Sequence, residues 1–243
     1  NSIVKLYFTG GKASITTQRV QKEVYGRVNM SNGTLGSFKL APNVNILDVS
    51  TTDKNKAGSY AKIYPQLIDG LTLIPDNILF TEKNDKNEIS SIILNDFTGE
   101  VYKYGVMIEA NNSSSGTNVR GSYTYDIGGT TTTMSTSGTT YAVQSGQAVK
   151  FNVSGNRVVG MTPLTEINNR ILSVSSTYVE TATDKYRLAD NVAVYKKTYD
   201  FNYMTLPLSE IIGSDKYNVT GYIDKPIVNG GRVRVIIVTD KAK

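Results

Sequence analysis

The sequence predicts an all-β protein, built as tandem small β-barrel or β-sandwich domains with very little helix. Three observations predict it. The polar residues are mostly Thr, Ser and Asn, and they accompany 16 Tyr and many Val and Ile. Branched and aromatic side chains of this kind pack well on a pleated surface. Short alternating apolar stretches recur from end to end, separated by Gly, Asn and Asp turn signals. Finally, one strand-like stretch occurs twice, which argues for duplicated units rather than one large sheet.

In chain order, Ile3-Val4-Lys5-Leu6-Tyr7-Phe8 reads as a strand and not as the apolar core of an export signal. Asn32-Gly33 sits between Arg27-Val28-Asn29-Met30 and Ser37-Phe38-Lys39-Leu40, a strong hairpin signal. Ile78-Leu79-Phe80 and Ile89-Ser90-Ser91-Ile92-Ile93-Leu94 flank the polar turn Asn84-Asp85-Lys86-Asn87. Asn111-Asn112-Ser113-Ser114-Ser115-Gly116 is a flexible loop by composition. The Gly/Thr-rich stretch 128–140 reads as a polar, exposed hairpin, because Thr is also a good strand former. Val149, Phe151 and Val153 alternate with polar residues, then Ser154-Gly155-Asn156 turns into Arg157-Val158-Val159. Pro207 suits the first position of a short helical turn running to Ile212 and ended by Gly213. In Arg232-Val233-Arg234-Val235-Ile236-Ile237-Val238, period-two alternation puts Val233, Val235 and Ile237 on one face and the two Arg on the other.

The repeat aligns Leu40-Ala41-Pro42-Asn43-Val44-Asn45-Ile46-Leu47 with Leu188-Ala189-Asp190-Asn191-Val192-Ala193-Val194-Tyr195. Each copy continues through a short Leu/Ile segment into a hairpin whose last strand is apolar and ends on Asp, at Asp96 and Asp240. Tyr25-Gly26-Arg27-Val28 and Tyr104-Gly105-Val106-Met107 form a third echo. Two β-domains are expected, residues 1–99 as the first repeat and 100–243 as the second repeat with a Gly/Thr-rich insertion.

The 243-residue chain contains no Cys, His or Trp. Thiol nucleophiles, His-based triads and the usual zinc and haem sites are therefore excluded. Carboxylates are the remaining acid–base equipment, and such pairs can hydrolyse glycosides. Glu100 with Glu109 and Glu180 with Asp184 are the candidate pairs, but their spacing matches no catalytic pattern. Asp53-Lys54-Asn55-Lys56-Ala57-Gly58 imitates the start of a calcium loop, yet Tyr64 stands where the closing Glu belongs and two Lys oppose a cation. It reads as an ordinary turn. No catalytic residue, cofactor or metal is expected. No apolar run reaches the ~18 residues of a membrane helix, so no membrane span is expected. The net charge of +5 is modest. Arg232 and Arg234, with Tyr222 nearby, are the candidate polymer-binding residues, and a nucleic-acid groove along them is the least favoured reading. Thr130, Thr132 and Met134 are the candidate self-assembly residues, because the segment around them is β-prone, uncharged and free of Pro.

The C-terminal order Asn191-Val192-Ala193-Val194-Tyr195-Lys196, then the segment from Leu206 to Ile212, Gly221-Tyr222-Ile223-Asp224-Lys225 and Gly230-Gly231-Arg232-Val233-Arg234-Val235-Ile236-Ile237-Val238 carries a resemblance. Tyr104-Gly105-Val106-Met107 and Gly146-Gln147-Ala148-Val149-Lys150-Phe151 add to it. Together these motifs resemble the C-terminal β-rich region of bacterial surface-layer homology (SLH) domain-containing cell-surface proteins. The resemblance implies an extracellular, cell-wall-associated structural module with no catalytic residues to carry over. Its partners would be further copies of itself, other domains of the same surface protein and cell-wall polymers. The family's wall-anchoring homology domains are not among these residues. Two functions are therefore expected, a structural self-assembling module first and a glycan or wall-polymer binding module second.

Overall fold

Alternating branched residues and frequent turns divide the chain into short strands in the computed structural model, which describes residues 3–18, 23–50, 59–115, 117–199 and 202–241. The longest helical segment among the described residues is the four-residue 3-10 turn Pro65–Ile68, so the protein is all-β. A three-residue 3-10 turn, Leu208–Glu210, falls just after Pro207. No helix among the described residues is long and apolar enough to cross a membrane. The chain divides into two compact units, Asn1–Val101 and Tyr102–Lys243. The calcium-loop-like stretch beginning at Asp53 lies outside the described residues.

In the first unit, β1 (Val4–Thr9) and β2 (Lys12–Thr17) make a separate antiparallel hairpin. β3 (Gly26–Asn29) and β4 (Thr34–Leu35) flank the Asn32-Gly33 turn, and β4 then hands over to the long β5 (Phe38–Val49). The sequence places the turn correctly but joins β3 directly to the strand after Ser37; the two-residue β4 intervenes. β6 (Tyr60–Ile63), β7 (Thr72–Leu73), β8 (Ile78–Lys83) and β9 (Ile89–Asn95) complete a seven-stranded sheet ordered β7-β3-β4-β5-β9-β8, with β6 also on β5. Its core gathers Val28, Leu35, Ile46, Leu73, Ile89 and Leu94, all essentially sealed from solvent.

The second unit opens with β10 (Lys103–Ser115), β11 (Asn118–Ile127), β12 (Thr130–Ser137), β13 (Ala148–Ser154) and β14 (Arg157–Pro163), a sheet ordered β12-β11-β10-β13-β14. The Asn/Ser stretch expected as a loop instead extends β10, with Asn111 opposite Ser122 and Ser115 opposite Asn118. The ten-residue β11 offers it a continuous partner, and an exposed hairpin tip has no core to fill, so polar composition does not prevent pairing. There follow β15 (Thr165–Glu166), β16 (Ser173–Val174), β17 (Tyr178–Glu180), β18 (Lys185–Lys197), β19 (Tyr203–Thr205), β20 (Tyr217–Ile223) and β21 (Val233–Asp240). They form a second seven-stranded sheet, ordered β15-β20-β21-β18-β17-β16, with β19 on β18.

The two seven-stranded sheets share their central design. β5 runs parallel to β9 and antiparallel to β6, just as β18 runs parallel to β21 and antiparallel to β19. Each parallel ladder slips at the same point. Leu40 faces Ile89 and the next pair is Asn45 with Ser91, so five residues of β5 span two of β9. Leu188 faces Val233 and the next pair is Ala193 with Val235, the same five against two. The repeated Leu-Ala-x-Asn-Val sequence occupies this bulge. Leu40-Ala41 and Leu188-Ala189 are consecutive buried residues, followed by the exposed pairs Pro42-Asn43 and Asp190-Asn191. A bulge of this kind bends the strand and re-aims its side chains. Past it, Ile46 and Val194 return to their cores.

The third echo has another cause. Gly26 lies on β3 and Gly105 on β10, which are not equivalent strands. At both, the backbone passes too close to a neighbour for a side chain. A Cβ at Gly26 would lie 2.7 Å from Gly36 Cα, and one at Gly105 would lie 2.0 Å from the Asp126 carbonyl oxygen.

Candidate functional site

The Thr-rich segment forms β12, the edge of the five-stranded sheet. Its pairing with β11 runs unbroken from Ile127 opposite Thr130 to Arg120 opposite Ser137. Thr133 Oγ1 lies 3.0 Å from Thr124 Oγ1, and Thr131 Oγ1 donates to Asp126 Oδ2 at 3.1 Å. These bonds hold the edge strand to its inner neighbour. No strand among the described residues pairs with its outer side. The opposite edge, β14, carries Arg157 and ends on Pro163, two features that discourage further pairing. β12 carries neither charge nor Pro. Thr130 and Thr132 are exposed, as a contact surface requires. Met134 is different. It stands opposite Tyr123 and packs against the core formed by Met107, Tyr125 and Phe151, so it serves the fold.

A second open surface lies on the β1–β2 hairpin, which sequence reasoning read as a strand without seeing its exposure. Register places Val4, Leu6 and Phe8 on one face with Ala13 and Ile15, while Lys5, Tyr7 and Thr9 point the other way. Leu6 is 53% exposed, Ile15 67% and Phe8 76%. Lys5 reaches Glu82 on β8, and this hydrogen-bonded pairing raises the Lys5 pKa.

Arg232 and Arg234 do not form a surface. The Arg234 side chain is fully buried, with Nε donating to Asp224 Oδ2 at 2.8 Å and the guanidinium 4.9 Å from the Tyr104 ring centre. Arg232 donates its backbone N–H to Asp224 Oδ1 at 2.9 Å and its Nη1 to the Leu188 carbonyl oxygen at 3.4 Å. The candidate polymer-binding pair is thus internal. The cause is the placement of β21, a central strand whose residues Val233–Val238 are all buried. Tyr222 is half-buried opposite Val235, and burial, with Glu166 as a second cause, drives its phenol pKa well above the ordinary value. No phosphate groove lies along these residues.

Of the candidate carboxylates, Glu180 and Asp184 serve local pairing. Glu180 lies 3.2 Å from Lys185, with Ser173 Oγ donating to it at 3.3 Å, and Asp184 accepts from Thr183 Oγ1 at 2.6 Å. Glu109 is exposed on β10, and Glu100 is half-buried ahead of it in sequence. Among the described residues, no three acidic side chains gather as a metal site would need.

Comparison with known proteins places the chain in no group. No family model, curated protein or solved structure matches it. Its own geometry therefore carries the functional argument.

A concave site lies elsewhere in the second unit. A cavity of about 490 Å³ opens at one end of the second seven-stranded sheet, between the segment leading into β16, the residues after the Leu208–Glu210 turn, the start of β20 and Lys241. Sequence reasoning missed it, because its walls come from four segments with no shared motif.

Proposed function

We propose that this chain is a non-enzymatic structural module of a bacterial cell-surface protein of the surface-layer type, working outside the cell by lateral assembly with further copies. The observation that carries this reading is β12, an eight-residue edge strand with no charge and no Pro. An unpaired edge is a row of donors and acceptors able to template a neighbouring strand. The bare apolar face of the β1–β2 hairpin supports the same reading, because an isolated two-stranded hairpin is marginal until something packs on it. Weak contacts of this kind gain strength by repetition across an array. Buried Arg232 and Arg234 support a structural role for that strand rather than polymer binding.

Sedimentation velocity and negative-stain microscopy at rising concentration test this. The native chain should form concentration-dependent sheets or filaments. Thr132→Lys combined with Ser135→Lys places one charge on each face of β12, both at exposed positions, and should abolish assembly while circular dichroism stays unchanged. Strict monomers at every concentration would overturn the assembly reading. Unchanged assembly of the double variant would remove β12 from it.

A further inference from the structure

The cavity in the second unit has the chemistry of a ligand site. Its floor is apolar: Ile171, Val174, Ile211 and Val219 line it and belong to, or pack against, the core of the second seven-stranded sheet. Its rim is polar and charged, with Arg170, Lys241 and Asp215 exposed beside Ser173, Ser214 and Asn218. Two cations against one carboxylate leave a net charge of +1 at the mouth. Among the described residues, none of these three charged groups is in an ion pair, in contrast to Lys185, Lys196 and Arg234 in the same unit. The volume lies within the range of small-molecule sites.

We propose that this cavity binds an acidic saccharide, a sugar unit bearing a carboxylate or phosphate. The apolar floor suits the C–H face of a sugar ring. Ser173, Ser214 and Asn218 supply hydroxyl and amide groups that both donate and accept, as sugar hydroxyls require. Arg170 and Lys241 take the anion, with Arg suited to a two-pronged contact. A lipid tail fits less well, because Arg170, Lys241, Asp215, Ser173, Ser214 and Asn218 make the rim polar and charged. The site is separate from β12, so this proposal stands or falls apart from the assembly reading.

Isothermal titration with trigalacturonic acid, maltotriose, triglutamate and inorganic phosphate tests it on the full chain. Trigalacturonic acid should bind in the millimolar range or tighter, and maltotriose roughly tenfold or more weakly, the contribution expected of one charge-assisted contact. Arg170→Ala with Lys241→Ala should weaken the acid by at least about tenfold, and Asp215→Asn should preserve or strengthen it. Neither variant should change assembly. Equal binding of maltotriose would overturn the anion requirement. Equal binding of triglutamate or of inorganic phosphate would overturn the saccharide assignment, and no binding of the acid at about 10 mM would overturn the site.

Discussion

Replacing Arg234 by Met should destabilise the second unit by about 3–5 kcal/mol, the usual cost of removing one partner from a buried ion pair. The structure sets that magnitude. The Arg234 side chain is 0% exposed and that of Asp224 4%, so the stranded carboxylate has almost no access to water. It would keep only the Arg232 backbone N–H among its described partners, at 2.9 Å. Loss of the Tyr104 contact adds to the effect, although Met recovers some packing. For a unit of this size the loss corresponds to a fall in Tm of roughly 10 °C. Because the chain has Tyr but no Trp, near-ultraviolet circular dichroism of the tyrosines is the natural readout. Arg234→Lys should fall between the two, since it keeps the charge but loses the planar group facing the ring. The double variant Arg234→Met, Asp224→Asn removes both charges while leaving an acceptor for Arg232, and should recover about 2 kcal/mol of the loss. A cost below about 1 kcal/mol for Arg234→Met, or strict additivity in the double variant, would refute the view that this pair is internal and mutually dependent.

Asp48→Ala should cost the first unit about 3–5 kcal/mol in chemical denaturation, because it removes the buried carboxylate that accepts from Phe97 N at 2.9 Å, Thr98 N at 2.6 Å and Thr98 Oγ1 at 2.5 Å. Gly105→Ala should destabilise the second unit by an amount on the order of 1–3 kcal/mol, read as a lowered Tm, since the added carbon meets a backbone oxygen that cannot swing aside. The second unit should also lose stability in alkali. Burial raises the phenol pKa of Tyr125, Tyr195, Tyr203 and Tyr222 above the ordinary value of 10.0. A raised folded pKa means the unfolded chain releases protons first, so stability is complete below pH 10 and declines above it. Absorbance titration at alkaline pH should show a group of phenols ionising together with loss of circular dichroism, and their ionisation in a still-folded protein would contradict the assignment.

Much of the β architecture was legible in the sequence, for reasons that particular residues make plain. The repeated stretch at Leu40 and Leu188 carries both the alternation of a strand and the interruption of a bulge, so its two occurrences mark equivalent places in two sheets. The β8–β9 and β13–β14 hairpins follow from polar turns between apolar runs. The polar edge strand β12 follows from the β-propensity of Thr, and Thr130 and Thr132 with it. Arg232 and Arg234 misled because period-two reasoning sends a charged residue outward. It cannot anticipate that Asp224, ten residues before Arg234, folds back as its counter-ion. Met134 misled in the opposite way, since a lone Met among Thr gives no sign that Tyr123 stands opposite it. The exposure of Phe8 and Ile15 was hidden because alternation predicts an apolar face but not what covers it.

The two copies of the repeat also explain why their last strands differ so much in composition. β9 buries Ile89, Ile92 and Leu94 in its core, while Ser91, Ile93 and Asn95 on the other side are half-exposed. One-sided burial permits alternation with polar residues. β21 is buried along Val233–Val238 on both sides. The preceding five-stranded sheet reaches its second side. Tyr195 on the neighbouring β18 donates to the Asp126 carbonyl oxygen at 3.2 Å and accepts from Gly128 N–H at 2.9 Å, both at the β11–β12 turn. Tyr104 on β10 lies against Arg234. The five-stranded sheet therefore covers, in the second unit, a face of the kind that is half-solvated in the first. A strand sealed on both faces must become continuously apolar or supply its own counter-charges. β21 does both, with Val235, Ile236, Ile237 and Val238 on the apolar side of that choice and Arg234 with Asp224 on the other. The same Arg that looked like a binding residue thus follows from the five-stranded sheet packed on that face, and β12 is the edge which that sheet leaves unpaired among the described residues.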